Sequence, residues 1–198
     1  NHCYRGEEMA IMMDIAEEFG FQISTFHHAV EAYKVADLLA EHNVCAAMWA
    51  DWWGFKHEAF DMTEANIAIV DQAKACAMIH SDSAIGIQHL NEETAKAMVA
   101  GQRAGFHIEP RHAVTWMTLN PAKALGVDEV TGSLEKGKMA DVVVWSGNPF
   151  SVYTKAEKVF IDGNLMYDRD NPERQPHSDF ELGILDAEGE RLPEGGER

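Results

Sequence analysis

Four histidines and two aspartates stand where short apolar runs of the sequence end: His2, the adjacent His27 and His28, His80, and Asp51 with Asp82. Imidazole nitrogens and carboxylate oxygens bind zinc at about 2.0–2.2 Å, and a catalytic site leaves one position open for water. A divalent ion held this way brings the pKa of its water down towards about 7 and polarises a carbonyl, which is hydrolytic chemistry. The same residues also serve as satisfied core or surface histidines. Ligands from separate strands share no local motif, so spacing leaves both readings open. His27 and His28 compete for one role, because successive strand side chains face opposite ways.

The pattern must supply elements that bring these residues together. Met9, Met12, Met13 and Ala16 recur as one helical stripe, and Gly20 is placed to end it. Phe21 to Phe26 is expected as a strand that stops before the histidine pair. A second stripe (Ala32, Val35, Ala36, Leu39) precedes a strand from Val44 to Trp49, and a helix near Thr63 to Lys74 precedes a strand from Cys76 to Ile79. Alternation of strand and helix predicts an α/β fold with a parallel sheet, whose functional groups gather at the carboxyl ends of the strands. Further helices are expected from Asn91 to about Gly101, from Pro110 to Leu119, and between Asn120-Pro121 and Gly126. Beyond a boundary near Val127 the sequence turns to β, with Val142 to Trp145 and an Asp162-Gly163 hairpin signal. These shifts divide the chain at 1–126, 127–169 and an acidic polar tail, 170–198.

Several segments carry a family resemblance: HCYR (2–5), HHAVEAYKVADLLAEHNV (27–44), ADWWGFKHEAFD (50–61), HSDS (80–83) and TLNPAKALGVDEVTGSLEKGKMADVVVWSGNP (118–149). Together they resemble the second half of a metal-dependent amidohydrolase, in the branch of imidazolonepropionase-like and prolidase-like enzymes. NPAKALG...GSLEKGKMADVVVW is the most specific stretch. The resemblance implies the C-terminal part of a (β/α)8 TIM-type barrel, strands five to eight, followed by a small β-sandwich segment. It also implies one or two divalent metal ions of the zinc type. His2 matches the ligand ending strand five, and His28, in an HxxEAYK setting with Glu31, the ligand ending strand six. Asp82 matches the strand-eight aspartate that binds metal and takes the proton of the attacking water. Tyr4 and Arg5 resemble substrate-contacting positions, while Asp51, Trp52, Trp53 and Lys56 line the mouth or pack its rim. His80 falls where related sequences carry a non-ligand. The family's HxH pair and strand-four lysine have no match in this sequence.

The implied reaction is attack of a metal-bound hydroxide on an amide carbonyl, with Asp82 passing the proton to the leaving nitrogen. A small-molecule amide or peptide-like substrate is the expected partner. The chain also reads as a fragment, to be completed by a missing N-terminal half or by a homo-oligomer. The alternatives are a non-catalytic half-barrel that self-associates and a deaminase acting on a ring C–N bond.

Composition narrows the classes. Lys and Arg number 16 against 33 Asp and Glu, a formal charge of −17, which disfavours nucleic acid and anionic membranes as partners. No apolar run approaches the roughly 20 residues that span a bilayer. Cys3, Cys45 and Cys76 lie far apart beside apolar residues and are expected as core residues without a disulfide framework.

Overall fold

Residues 1–176 are described by a computed structural model. His177 and the rest of the expected acidic tail lie outside them. Helix α1 (Gly6–Phe19) buries Met9, Met13 and Ala16 along one stripe, and left-handed Gly20 (φ 70°) ends it. The N–H groups of Gly20 and Phe21 return to Glu17 O and Ala16 O, a Schellman closure that satisfies the last carbonyls.

Phe21 is therefore part of the helix cap, and it is exposed. The second strand begins later than the pattern suggested and contains the histidines. The strands are β1 (His2–Cys3), β2 (Thr25–His28), β3 (Cys45–Met48) and β4 (Cys76–Ile79), all parallel in the order β1-β2-β3-β4. Register pairs His2 with His27, Cys3 with His28, and His28 with Met48 in turn with Ile79, so the carboxyl ends are level.

Short side chains let this sheet pack closely. Phe26, Ala46, Met48, Ala77 and Ile79 join α1, α2 (Ala36–Glu41), α3 (Asn66–Gln72) and α4 (Leu90–Arg103) in the main core. The intervening residues Cys45, Ala47 and Met78 form a smaller cluster, with Cys76 and Ala124 packed against it. In-register pairing sets Cys45 beside Cys76 with their Cα atoms 4.4 Å apart, and the two are joined as a disulfide. This corrects the expectation of three free core cysteines: a sequence separation of 31 conceals neighbours that a parallel sheet places side by side. Cys3 is buried and free.

Helices α3 and α4 meet where Gly101 faces Ala68. A Cβ at position 101 would lie 2.5 Å from both Ala68 Cβ and Ile108 Cδ1. Alanine would gain about 1 kcal/mol of helix propensity over glycine, but the clash forces the helices apart at a cost of about 1–3 kcal/mol. Gly101→Ala is therefore expected to lower stability, and a raised urea midpoint would contradict the close approach.

Helices α5 (Pro110–Ala113) and α6 (Leu119–Leu125) follow, α6 ending at left-handed Gly126. The Asn120 side-chain amide donates to Ala77 O at 2.8 Å, occupying an edge carbonyl of β4. Asn1–Lys138 with Pro149–Tyr153 form one compact unit. Met139–Asn148 and Thr154 onward form a second, whose sheet is antiparallel in the order β5 (Val142–Trp145), β6 (Ala156–Ile161), β7 (Asn164–Asp168). Asp162 (φ 49°) and Gly163 (φ 78°) make the β6–β7 turn left-handed at both positions, as a type I′ hairpin requires. No helix among the described residues is long and apolar enough to cross a membrane.

Candidate active site at the carboxyl ends of the strands

Level strand ends bring four imidazoles together. His2 Nδ1 lies 2.7 Å from His28 Nε2, and the His27 ring stacks on His2 with centroids 5.1 Å apart. His28 is buried while His27 is exposed, the alternation expected of neighbours on a strand. His28 leaves the strand with φ 74°, and Asp82 sits at φ 47°. Non-glycine residues rarely adopt this left-handed region, although His, Asn and Asp are enriched among those that do. The turn brings His28 Nδ1 to 3.9 Å from Asp82 Oδ2, too long for a hydrogen bond.

His80 completes the group, although sequence reasoning set it aside. Its ring lies edge-on to His27 at 5.8 Å and tilted to His28 at 5.3 Å. Burial, and then the neighbouring imidazoles of His28 and His27, push its pKa down to about 4. His28 and His27 are also lowered, chiefly by burial; at His28 the Asp82 carboxylate opposes the shift. Neutral imidazoles are the form that binds metal. His28 Nδ1 and His80 Nε2 are buried with no hydrogen-bond partner among the described residues. His80's place as the first residue of the HSDS segment was the available signal, and register made it a member of the cluster.

Aromatic rings wall this centre. The Tyr4 ring stacks on His28 at 4.8 Å, and Trp49, 2% exposed, stacks on His28 at 4.9 Å and on Trp52 at 5.2 Å. The Trp49 indole N–H donates to Ser81 O at 3.0 Å, tying the end of β3 to the turn that carries Asp82. The Lys56 ammonium lies 3.7 Å from the centroid of Tyr4. Two of the residues singled out from sequence carry charge partners: Arg5 pairs with Glu7 at 2.8 Å, and Asp51 with Lys96 at 3.0 Å.

A polar frame holds the His28 turn. Buried Asn66 accepts from the Tyr33 N–H at 2.8 Å and donates to Ala29 O and Val30 O, each at 2.9 Å. Buried Glu31 accepts from the Gly6 N–H at 2.9 Å and pairs with Lys34, which also binds Asp61. Those two carboxylates hold the Lys34 ammonium well above its ordinary pKa, Asp61 contributing most.

The amidohydrolase family model matches residues 2–166, nearly the whole described chain. The chain belongs to the amidohydrolase family. The amidohydrolase tasK of Hapsidospora irregularis is 32% identical over 184 residues, covering 89% of this chain and 18% of the relative. Among solved structures, an amidohydrolase from Thermotoga maritima is 33% identical with a TM-score of 0.76, over 85% of this chain and 43% of that one. An adenosine deaminase from Xanthomonas campestris with bound zinc has a TM-score of 0.61 at 17% identity, over 85% and 45%, which shows the shared fold. This amidohydrolase chain thus spans less than half the length of the proteins it matches.

Metal is usual in the amidohydrolase family, and the donor chemistry here suits it in part. His2 Nδ1 and His28 Nε2 face each other as two borderline-soft nitrogen donors, with an exposed carboxylate nearby. Among the described residues no three His, Cys, Asp or Glu groups converge tightly enough to hold an ion.

Proposed function

We propose that the full-length protein is a metal-dependent hydrolase of amide or related C–N bonds, acting on a small peptide-like substrate. The observation that carries this reading is the 2.7 Å approach of His2 Nδ1 to His28 Nε2, with Asp82 beyond the other nitrogen of His28. The level, all-parallel sheet with its helices supports reading β1 to β4 as strands five to eight of a (β/α)8 barrel. On that reading the remaining ligands come from outside this chain, from an N-terminal half or a second copy. The β5–β7 sheet would belong to the small β domain. The motifs at 27–44 and 118–149 support the imidazolonepropionase-like and prolidase-like branch.

His2 and His28 would hold one ion, of the zinc type. When bound, it would supply polarisation of the scissile carbonyl and acidification of the attacking water. This chain's own residues do the rest. Asp82, more than half exposed, takes the proton at its carboxylate and delivers it to the leaving nitrogen. Tyr4 and Trp52 bound the space where the substrate sits.

Proximity and orientation account for roughly 7–11 kcal/mol of such a barrier and require a complete set of positioned groups. The 198-residue chain alone is therefore expected to show no turnover of N-acyl amino acids or Xaa-Pro dipeptides with added zinc. A form carrying four further barrel strands should hydrolyse them, lose activity on chelation and regain it with zinc. Metal content measured in parallel gives a readout besides rate. If the longer form holds no metal and turns over none of the panel, the reading is wrong; release of ammonia from a ring substrate instead would make it a deaminase.

A further inference from the structure

We propose that Lys34 is a positioning residue for the histidine centre: by binding Glu31 and Asp61 at once, its ammonium holds Tyr4, His28 and the loop 51–61 in one arrangement. The role rests on the amide-hydrolase reading of this centre. Lys34 acts through other residues, by two arms that differ in burial and therefore in what they do.

The Glu31 arm is buried. The Glu31 side chain is 8% exposed, its Oε1 lies 3.2 Å from the Lys34 ammonium, and its Oε2 accepts from the Gly6 N–H at 2.9 Å. The Glu31 N–H donates to Tyr4 O at 3.0 Å, so this residue clasps the segment from Tyr4 to Gly6 with both its backbone and its side chain. Gly6 permits the approach, since a Cβ there would lie 3.3 Å from Lys34 Cβ. Removing the cation would leave a buried carboxylate without its counter-charge, so this arm bears on stability.

The Asp61 arm is exposed. The Asp61 side chain is 63% exposed, and an ion pair so open to water contributes little to stability. What it fixes is the end of a loop. The Tyr33 hydroxyl donates to Asp61 O at 2.9 Å beside the Lys34 contact, and at the other end Asp51 pairs with Lys96. Between these anchors the loop sets Trp52 face to face with Trp49 at 5.2 Å and Phe55 edge-on to Trp49 at 5.3 Å. Trp49 and Tyr4 each stack on His28. Contacts thus run in a closed circuit, from Lys34 through Glu31 and Tyr4 to His28, then back through Trp49, the loop and Asp61. Loss of the ammonium opens this circuit and leaves the loop end to the Tyr33 hydroxyl.

The test is amide hydrogen exchange in the full-length protein, read at two sets of bonded N–H groups: Gly6 and Glu31 in the clasp, and Gly54, Ala59 and Phe60 in the loop. Lys34→Met is expected to speed both sets at least about 10-fold relative to α4, and Lys34→Arg should keep the natural rates. Asp61→Ala should speed the loop set by as much while leaving the urea midpoint unchanged, which separates positioning from bulk stability. With an N-acyl amino acid as substrate, Asp61→Ala should raise KM about 10-fold with kcat changed less, and Lys34→Met should lower kcat as well. Either set unmoved in Lys34→Met, rates in Lys34→Arg that match Lys34→Met, loop exchange in Asp61→Ala that is unmoved or rises only with a lowered urea midpoint, or turnover by Asp61→Ala at the natural KM would each overturn the role. If the exchange pattern holds but no amide is turned over, the coupling of loop to imidazoles stands and the hydrolase reading falls.

Discussion

Asp82→Asn in the full-length protein is expected to lower kcat by about 10²–10⁴-fold, the range for loss of a positioned proton carrier, while leaving the urea midpoint unchanged. The two halves of this expectation have separate causes. Asparagine keeps the shape of the side chain but cannot accept a proton at neutral pH, so transfer to the leaving nitrogen loses its carrier. Stability is insulated because the Asp82 side chain is 58% exposed and stands 3.9 Å from the nearest His28 nitrogen, so no buried bond is broken. The backbone is equally indifferent, since φ is 47° there and asparagine tolerates the left-handed region as well as aspartate does. A variant that keeps a rate within tenfold of the natural protein would remove Asp82 from the mechanism. Alanine would be a poorer test, because it would also pay the left-handed backbone cost.

Asn66→Ala should have the largest effect on stability among polar substitutions at the site, a loss of about 3 kcal/mol or more. Asn66 is 1% exposed and makes three hydrogen bonds, to Tyr33 N–H and to the carbonyls of Ala29 and Val30. Truncation leaves all three backbone groups without this partner, and each buried unsatisfied group costs about 1–3 kcal/mol. The carbonyls belong to the two residues directly after His28, so the damage is local to the histidine pair. Urea unfolding gives the first readout. The second is NMR exchange of the His28 and Val30 amides, which should accelerate more than those of α4. A loss under about 1 kcal/mol would mean that the turn is held by the Glu31–Gly6 and Lys34 contacts instead.

The parallel sheet was legible because β3 and β4 are short apolar runs flanked by helical stripes, and burial on both faces leaves that mark on a sequence. β2 was displaced in the sequence reading for a physical reason. Phe21 and Ile23 are apolar enough to resemble a strand, but the Schellman closure at Gly20 uses Phe21, and the strand that pairs with Cys45–Met48 starts at Thr25. Histidines inside a strand carry no hydrophobic signal, so an alternation rule stops before them. The disulfide and the placement of His80 both depend on register between strands about 30 residues apart, which no local window contains. The hairpin at Asp162-Gly163 was legible because its left-handed turn restricts residue type directly. The pairing of Arg5 with Glu7 and of Asp51 with Lys96 was not read from the sequence, the second because it joins residues 45 apart.

The amide of Asn120 on the Ala77 carbonyl has a consequence for how function is inherited between relatives. Within the stretch that most resembles the family, Asn120 occupies a strand edge, Ala122 is buried where a Cβ on Gly132 would approach it to 2.6 Å, and Gly126 ends a helix in the left-handed region. Each of these residues answers to architecture, and none reaches the imidazoles. A descendant could therefore exchange its substrate completely while this segment stayed unchanged, and a shared NPAKALG signature transmits ancestry without transmitting specificity. On the hydrolase reading, what a member of this lineage acts on would fall instead to the loops at the carboxyl ends of the strands, such as residues 51–61, where a graft from a relative would be expected to carry the donor's preference with it.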